Sequence, residues 1–237
     1  MAFYDATWGS LPAGHLVASF DDDDRTYRDT LEVDTVGLAH FLLRFHARVE
    51  SAGTFAAGGM ARPERYAVDY DLRKNRNQRV RVAYVAGAGG LVAERVAQDS
   101  NRKPPLPERY RRNVIDPLAA FAALRRHLLH HDAKTGDHFS LPVFDDVRRF
   151  DVAVSIRSAG GTDGLVRVHL DLTAVAGFRK KDGGYAPEEA PRPIDVTFRD
   201  DGAMMPMRLD VMVAWLPLVI RFDHRCPDPT HCVAMKR

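Results

Sequence analysis

Apolar and polar residues alternate with a period of two through most of this chain, the pattern of half-buried β-strands. Tyr4, Ala6 and Trp8 share one face of a first strand, and Leu16, Ala18 and Phe20 one face of a second, with Gly9 and Pro12-Ala13-Gly14 punctuating the turn. The alternation returns at 27–33, 45–49, 66–72, 80–84, 150–156, 166–172 and 194–198. It ends with Met207, Leu209, Val211, Val213 and Trp215 on one face. Both faces of that last strand turn apolar toward Leu216, which predicts cover on two sides at its end. Ten or eleven strands are expected in all.

One long segment breaks the alternation. IDPLAAFAALRRHLLHH, residues 115–131, reads as a helix: Asp116 is a favoured N-cap, Pro117 fits the first helical position, and an Ala/Leu-rich body follows. At 100° per residue Leu118, Phe121, Ala122, Leu124, Leu128 and Leu129 share one arc, with Ala120, Ala123, His127 and His130 opposite. Arg125 projects within the apolar arc. Its stem is expected to pack while its head reaches the rim or a carboxylate, with anion binding as the other reading. After Gly37, LAHFLLRF reads as a short helix or turn.

So many antiparallel strands exceed what a compact sandwich holds around a helix. The expectation is therefore a mainly β (α+β) fold: a strongly curved antiparallel sheet, or open β-barrel, of about ten strands wrapped around one long helix. Where helix and sheet do not fill the concavity, a hydrophobic cavity is expected. Its wall is assigned to Phe121, Leu124 and Leu128, with Arg125 beside them, and to Val211, Val213 and Trp215 of the late strand.

Composition narrows this picture. The 237 residues suffice for one sizeable core, read as a single domain over 1–237 with a tail over 222–237. Hydrophobic content of 45% and charged content of 28% are those of an ordinary globular chain, and no run approaches the ~20 apolar residues of a membrane span. With 34 Lys+Arg against 32 Asp+Glu, nothing in the charge points to nucleic acid. The start MAFYDATWGSL has no export-signal pattern, which fits a cytosolic protein or a mature form whose signal has been removed.

Candidate chemistry is sparse. VRVAYVAGAGGLVAERVAQ imitates a nucleotide-binding turn, but Val92 occupies the position of the third glycine, so a hairpin turning at 87–90 is expected. Asp21–Asp24 lack calcium-loop spacing, and His130, His131, Asp132, Asp137 and His138 lack the paired spacing of a zinc site. No nucleophile elbow, phosphate loop or H-E-x-x-H occurs, so neither catalysis, metal nor cofactor is expected. The tail DHRCPDPTHC holds the two cysteines, Cys226 and Cys232, beside His224 and His231; zinc ligation, free thiols and a disulfide are the three readings.

Several segments in order, YDATWGSLPAG, DTVGLAHFLLRFHARVESAG, RPERYAVDY, IDPLAAFAALRRHL, LPVFDDVRRFDVAVS, TAVAGF and RPIDVTFRDDGAMMPMRLDV, resemble the DUF3108 family of bacterial proteins. One departure is a cysteine frequent in that family's counterpart of GLVRVHLDLTAVAGF and absent here. The resemblance implies export to the periplasm and a fold akin to the LolA/LolB-type lipoprotein carriers, in which a curved sheet wraps a helical plug and offers an apolar cavity. It supplies no catalytic residues. The function it implies is a non-enzymatic envelope protein binding a lipid, an acyl chain or a lipidated protein, with peripheral membrane contact. The alternative is an envelope-assembly scaffold that meets protein partners through exposed strand edges. The oxidising compartment so implied, with Pro227 and Pro229 favouring a compact turn, selects the Cys226–Cys232 disulfide among the three readings.

Overall fold

In the computed structural model, which describes residues 1–42, 44–72, 78–98, 104–130, 133–181, 184–186 and 189–226, the alternating segments form strands joined mostly by short turns. In chain order these are β1 (Ala2–Trp8), β2 (Leu11–Asp22), β3 (Thr26–Thr35), the short helix α1 (Gly37–Leu42), β4 (Phe45–Phe55), β5 (Ala61–Leu72), β6 (Gln78–Gly87) and β7 (Gly90–Gln98). The long helix α2 (Pro117–His130) follows. Next come β8 (His138–Phe144), β9 (Arg149–Ser158), β10 (Leu165–Ala176), the two-residue strands β11 (Lys180–Lys181) and β12 (Gly184–Tyr185), β13 (Ile194–Arg199), β14 (Met205–Val213) and β15 (Leu216–Arg225).

Thirteen strands make one antiparallel sheet in the order β7-β6-β5-β4-β3-β2-β1-β15-β14-β13-β10-β9-β8. That exceeds the ten or eleven expected, because β8 and β15 escape the pattern. β8 hides its alternating Phe139, Leu141 and Val143 around Pro142. The turn into β15 has no glycine; Ala214 takes a positive φ of 57° there instead. β15 also runs to Arg225, inside the stretch assigned to a tail, and is held at its end by Cys226 N–H donating to Met1 O (2.9 Å).

The sheet is strongly curved. β4 and β8 stand nine places apart in its order, about 43 Å if it were flat, yet both touch the one helix α2. Its edge strands β7 and β8 do not pair. The segment 111–115 lies between them: Ala93 N–H donates to Arg111 O (2.9 Å) and Asn113 N–H to Leu91 O (2.7 Å) on one side. On the other, Ile115 N–H donates to Pro142 O and Phe144 N–H to Ile115 O, both at 2.9 Å. This clasp reaches both edges at once. Gly90 makes room for it, since a Cβ there would sit 1.8 Å from Asn113 Oδ1, and Asn113 Nδ2 donates to Gly89 O (3.1 Å). The glycines that imitate a nucleotide loop thus form the expected hairpin and receive the clasp. Arg95 reinforces the seam through Nε to Asp146 Oδ1 (2.5 Å) in the β8–β9 turn, both side chains being buried.

α2 starts as read, with the Asp116 carboxylate accepting the Ala119 N–H (2.9 Å) as an N-cap. The face opposite the apolar arc reaches solvent only at its end, where His130 is exposed. Ala120 and Ala123 are buried along with Leu118, Ala119, Ala122, Leu124, Arg125 and Leu128, because strands from both halves of the curved sheet approach the helix. The main core joins α2 to β8, β9, β10 and β13. A second cluster lies between β1, β2, β14 and β15, and a third behind the clasp.

Candidate functional site

The two sides of α2 meet different chemistry. Toward β8, β9, β10, β13 and β14 lies a cavity of ≈ 220 Å³ whose lining carries no charged or polar side chain; Phe121, Leu124, Leu141, Phe150, Leu172 and Ile194 are among its walls. Leu141, Val154 and Val196 close it at the depth of the core, whereas Phe150, Leu172 and Ile194 are half-exposed. Those half-exposed residues lie toward the strand ends that carry the β8–β9 and β14–β15 turns, so the cavity opens there.

Toward β2–β6 the same helix faces a buried polar row. The Ser51 hydroxyl donates to Asp116 Oδ2 (2.9 Å) and lies 3.4 Å from the Tyr27 hydroxyl. Asp29, between Phe20 and Ser51 in register, is 0% exposed, and neither of its carboxylate oxygens meets a protein donor. Arg125 is 3% exposed; its Nη2 donates to Asp22 Oδ1 (3.2 Å) and Ala203 O (3.0 Å), and its guanidinium stacks 4.4 Å from the Phe20 ring centroid. Its Nε and Nη1 have no protein acceptor. Burial pushes the Asp29 carboxyl up to about 7, against the lowering field of Arg125. Burial also raises Asp116 to about 7, opposed by its hydrogen bonds from Ala119 and Ser51. The buried Tyr84 hydroxyl, unpartnered in the protein, is pushed well above its ordinary value for the same reason.

The residues assigned to the wall divide. Phe121 and Leu124 line the apolar cavity, with Phe121 wedged between Phe20 and Phe198 at ring centroid distances of 5.7 Å each. Leu128 is buried in the core away from the cavity, and Arg125 belongs to the polar side, its head held by a carboxylate. Val211, Val213 and Trp215 are not cavity wall. Val211 and Val213 share the inward parity of Met207 and Leu209 and Trp215 lies in the turn itself, but the β14–β15 hairpin runs past the ends of its neighbours: Val211 already pairs with Ile194, the first residue of β13. The end expected to be covered on two sides is therefore open, with Trp215 76% exposed. Most of the wall is absent from the sequence assignment: Phe150, Leu172, Ile194 and Val196 lie on strand faces whose alternation is plain, whereas Leu141 and Val143 belong to the strand hidden by Pro142, with the alternation L-x-V as their signal.

Of the other candidates, Asp23 caps the β2–β3 turn by accepting the Arg25 and Thr26 N–H groups at 2.7 Å, and Asp24 pairs with Arg126 (3.2 Å). Asp137 accepts the Lys134 N–H (2.9 Å), while His131 and Asp132 lie outside the described residues. Among the described residues no three His, Cys, Asp or Glu side chains assemble as a metal site. Cys232 lies outside the described residues too.

No helix among the described residues is long and apolar enough to cross a membrane. A search of curated proteins returns no match. Among solved structures, the chain is similar to a crystal structure described as a beta-barrel-like protein of domain of unknown function DUF1849 from Brucella abortus, with TM-score 0.57 and 11% identity over 94% of each chain. That likeness speaks to fold alone. The family described as "Protein of unknown function (DUF3108)" matches residues 4–215, and this chain belongs to that family.

Proposed function

We propose that this protein is a non-enzymatic carrier or sensor of the bacterial envelope, its curved sheet wrapping α2 and holding an acyl chain between them. The observation that carries the reading is the cavity beside Phe121 and Leu124, roofed by the helix and lined without a polar side chain. Enclosed apolar space of this kind favours an aliphatic occupant over water, which needs several polar partners. Its ≈ 220 Å³ falls below the roughly 300–1,000 Å³ that enclose a drug-sized ligand. One acyl chain segment suits it better than a whole diacyl lipid. The scaffold alternative has less support, because the clasp occupies backbone groups of both sheet edges that a partner strand would use.

The reading extends to compartment and tail. Residence in the periplasm would favour a Cys226–Cys232 disulfide, whose short loop is worth about 2–2.5 kcal/mol in the chain-entropy estimate. Intact mass under alkylation, with and without reductant, measures it; two alkylatable thiols in freshly isolated protein would overturn the pairing.

A fluorescent fatty acid titrated into the protein tests the carrier reading, together with mass spectrometry of lipids extracted from natively purified material. Leu172→Trp fills the mouth of the cavity and is expected to abolish uptake while the fold survives. Undiminished binding by a folded Leu172→Trp variant, with no co-purifying acyl species, would sink it.

A further inference from the structure

We infer that the tip of the β14–β15 hairpin is a docking element for the surface of an anionic phospholipid bilayer. The inference builds on the acyl-binding reading, since the cavity opens at the same end of the sheet. Residues 212–217, MVAWLP, carry no charged or polar side chain apart from the Trp215 indole N–H, and they extend beyond the last pairing of β14 with β13 and of β15 with β1. Met212 and Val213, adjacent and so on opposite faces of the strand, are 45% and 41% exposed, and Trp215 is 76% exposed. Trp8, at the end of β1, stands beside it with ring centroids 6.3 Å apart, and its indole N–H donates to Val213 O (3.2 Å). Leu11, facing Trp8 across the β1–β2 turn, adds a further exposed apolar side chain.

The shape favours a bilayer over a protein partner. A six-residue projection offers far less than the ~800 Å² per partner of a stable protein interface. It does offer a narrow apolar wedge with two indoles, the side chain most at home between acyl chains and headgroups.

Charge points the same way. In the described parts of the β3–β4, β8–β9 and β10–β13 connections, which share this end, Arg44, Lys180 and Lys181 are exposed. The carboxylates there, Asp145, Asp146 and Glu189, are each turned in and lie close to arginines. The opposite end exposes five carboxylates in its turns, Asp23, Asp24, Asp163, Asp200 and Asp201, against two cations, Arg25 and Lys134. An anionic surface would therefore attract the tip end and repel the other, orienting the cavity mouth toward the lipid.

Both tryptophans of the chain lie at this tip, so tryptophan emission, excited selectively over the seven tyrosines, reports on it alone. The full-length protein is mixed with phosphatidylcholine vesicles, with and without phosphatidylglycerol, and with vesicles carrying brominated acyl chains. A blue-shifted emission, quenched by the brominated lipid and strongest with phosphatidylglycerol at low salt, is the expected result. Trp215→Glu, and independently Val213→Asp, should weaken the partition at least tenfold with an unchanged melting temperature. Lys180→Ala should weaken it roughly fivefold on the phosphatidylglycerol vesicles only. Emission unaltered by every vesicle, or co-sedimentation of folded Trp215→Glu equal to wild type, would overturn the inference. So would a vesicle-independent shift that tracks self-association, which would make a second copy the occupant. Fatty-acid uptake measured without vesicles separates the two readings: folded Trp215→Glu should retain it, and its loss in Leu172→Trp does not bear on the tip.

Discussion

One helix divides this interior into two regions of opposite character. On the side of β8–β10 and β13, α2 meets Leu141, Val154, Ile156, Val168, Val196 and Phe198, all at most 2% exposed, and apolar space remains between Phe121 and the trio Leu141, Val154 and Val196. On the side of β2–β6 it meets Asp29, Ser51, Tyr27 and Tyr84, and contributes Arg125 and Asp116 of its own. The first region is held by close packing and tolerates a void because nothing in it requires a partner. The second has been filled with groups that demand one another, and Arg125 lies close enough to Asp29 to lower its pKa without a direct bond between them. An acyl chain suits the first region and would be excluded from the second by the cost of leaving charges buried in hydrocarbon.

The contrast is broken most forcefully at Phe198, fully buried on the apolar side and in contact with Phe121. Phe198→Ala is expected to cost about 3–5 kcal/mol by denaturant melt, independent of pH. Phe121→Ala should fall at or below the lower end of that range, since its ring is half-buried at the cavity wall. A loss for Phe121 as large as for Phe198 would mean that the cavity is closed in solution. At the seam, Arg95→Met would deprive the buried Asp146 carboxylate of its guanidinium, and a loss of about 3 kcal/mol is expected from such a half-broken pair.

The polar region should announce itself through pH. Asp29 and Asp116 bind protons more tightly folded, at about 7, than in the unfolded chain near the ordinary 3.8, in both cases because burial penalises the charge. The folded state therefore holds more protons between those values, and stability falls as pH rises through that window. The stabilisation is fully present below about pH 4 and is lost by about pH 7, a change of a few kcal/mol for each of the two carboxyls. Asp145, raised by burial as well, acts in the same direction. The melting temperature should drop between pH 4.5 and 7.5, and Asp29→Asn with Asp116→Asn should flatten that slope while the asparagine still caps α2. An unflattened slope in the double variant would place the titration elsewhere.

The apolar region was far more legible in the sequence than the polar one. Alternation marks which residues of β9, β10 and β13 point inward, and it needs only parity. It fails where chain ends matter: Val211 and Val213 have the right parity, yet their hairpin outruns the neighbouring strands. Parity with Tyr27 and Leu31 turns Asp29 inward and the exposed Arg28 outward, but an inward carboxylate reads as an error of pattern until Arg125, 96 residues away, is folded against it. The clasp is nearly as silent, since 111–115 pairs largely through backbone groups that any sequence could supply, with the space left at Gly90 and the side-chain bonds of Asn113 and Arg111 as its local signals.

The smallest of the expected effects sharpens the comparison most. Ser51→Ala removes one hydrogen bond to Asp116 from the polar region and leaves the space nearly unchanged. If Asp116 titrates near 7, that bond runs to a neutral carboxyl at pH 5 and to a carboxylate at pH 8. The cost of Ser51→Ala should then be about 0.5–1.5 kcal/mol at pH 5 and about 1.5–3 kcal/mol at pH 8, the usual difference between neutral and charged acceptors. Losing the donor should also raise the Asp116 value further, extending the falling limb of the stability curve to higher pH. Val154→Ala, across the helix in the aliphatic region, serves as the counterpart: its cost should be the same at both pH values. Equal costs for Ser51→Ala at pH 5 and pH 8 would show that Asp116 keeps one ionisation state across that range, and the polar side of α2 would then owe its pH dependence to Asp29 alone.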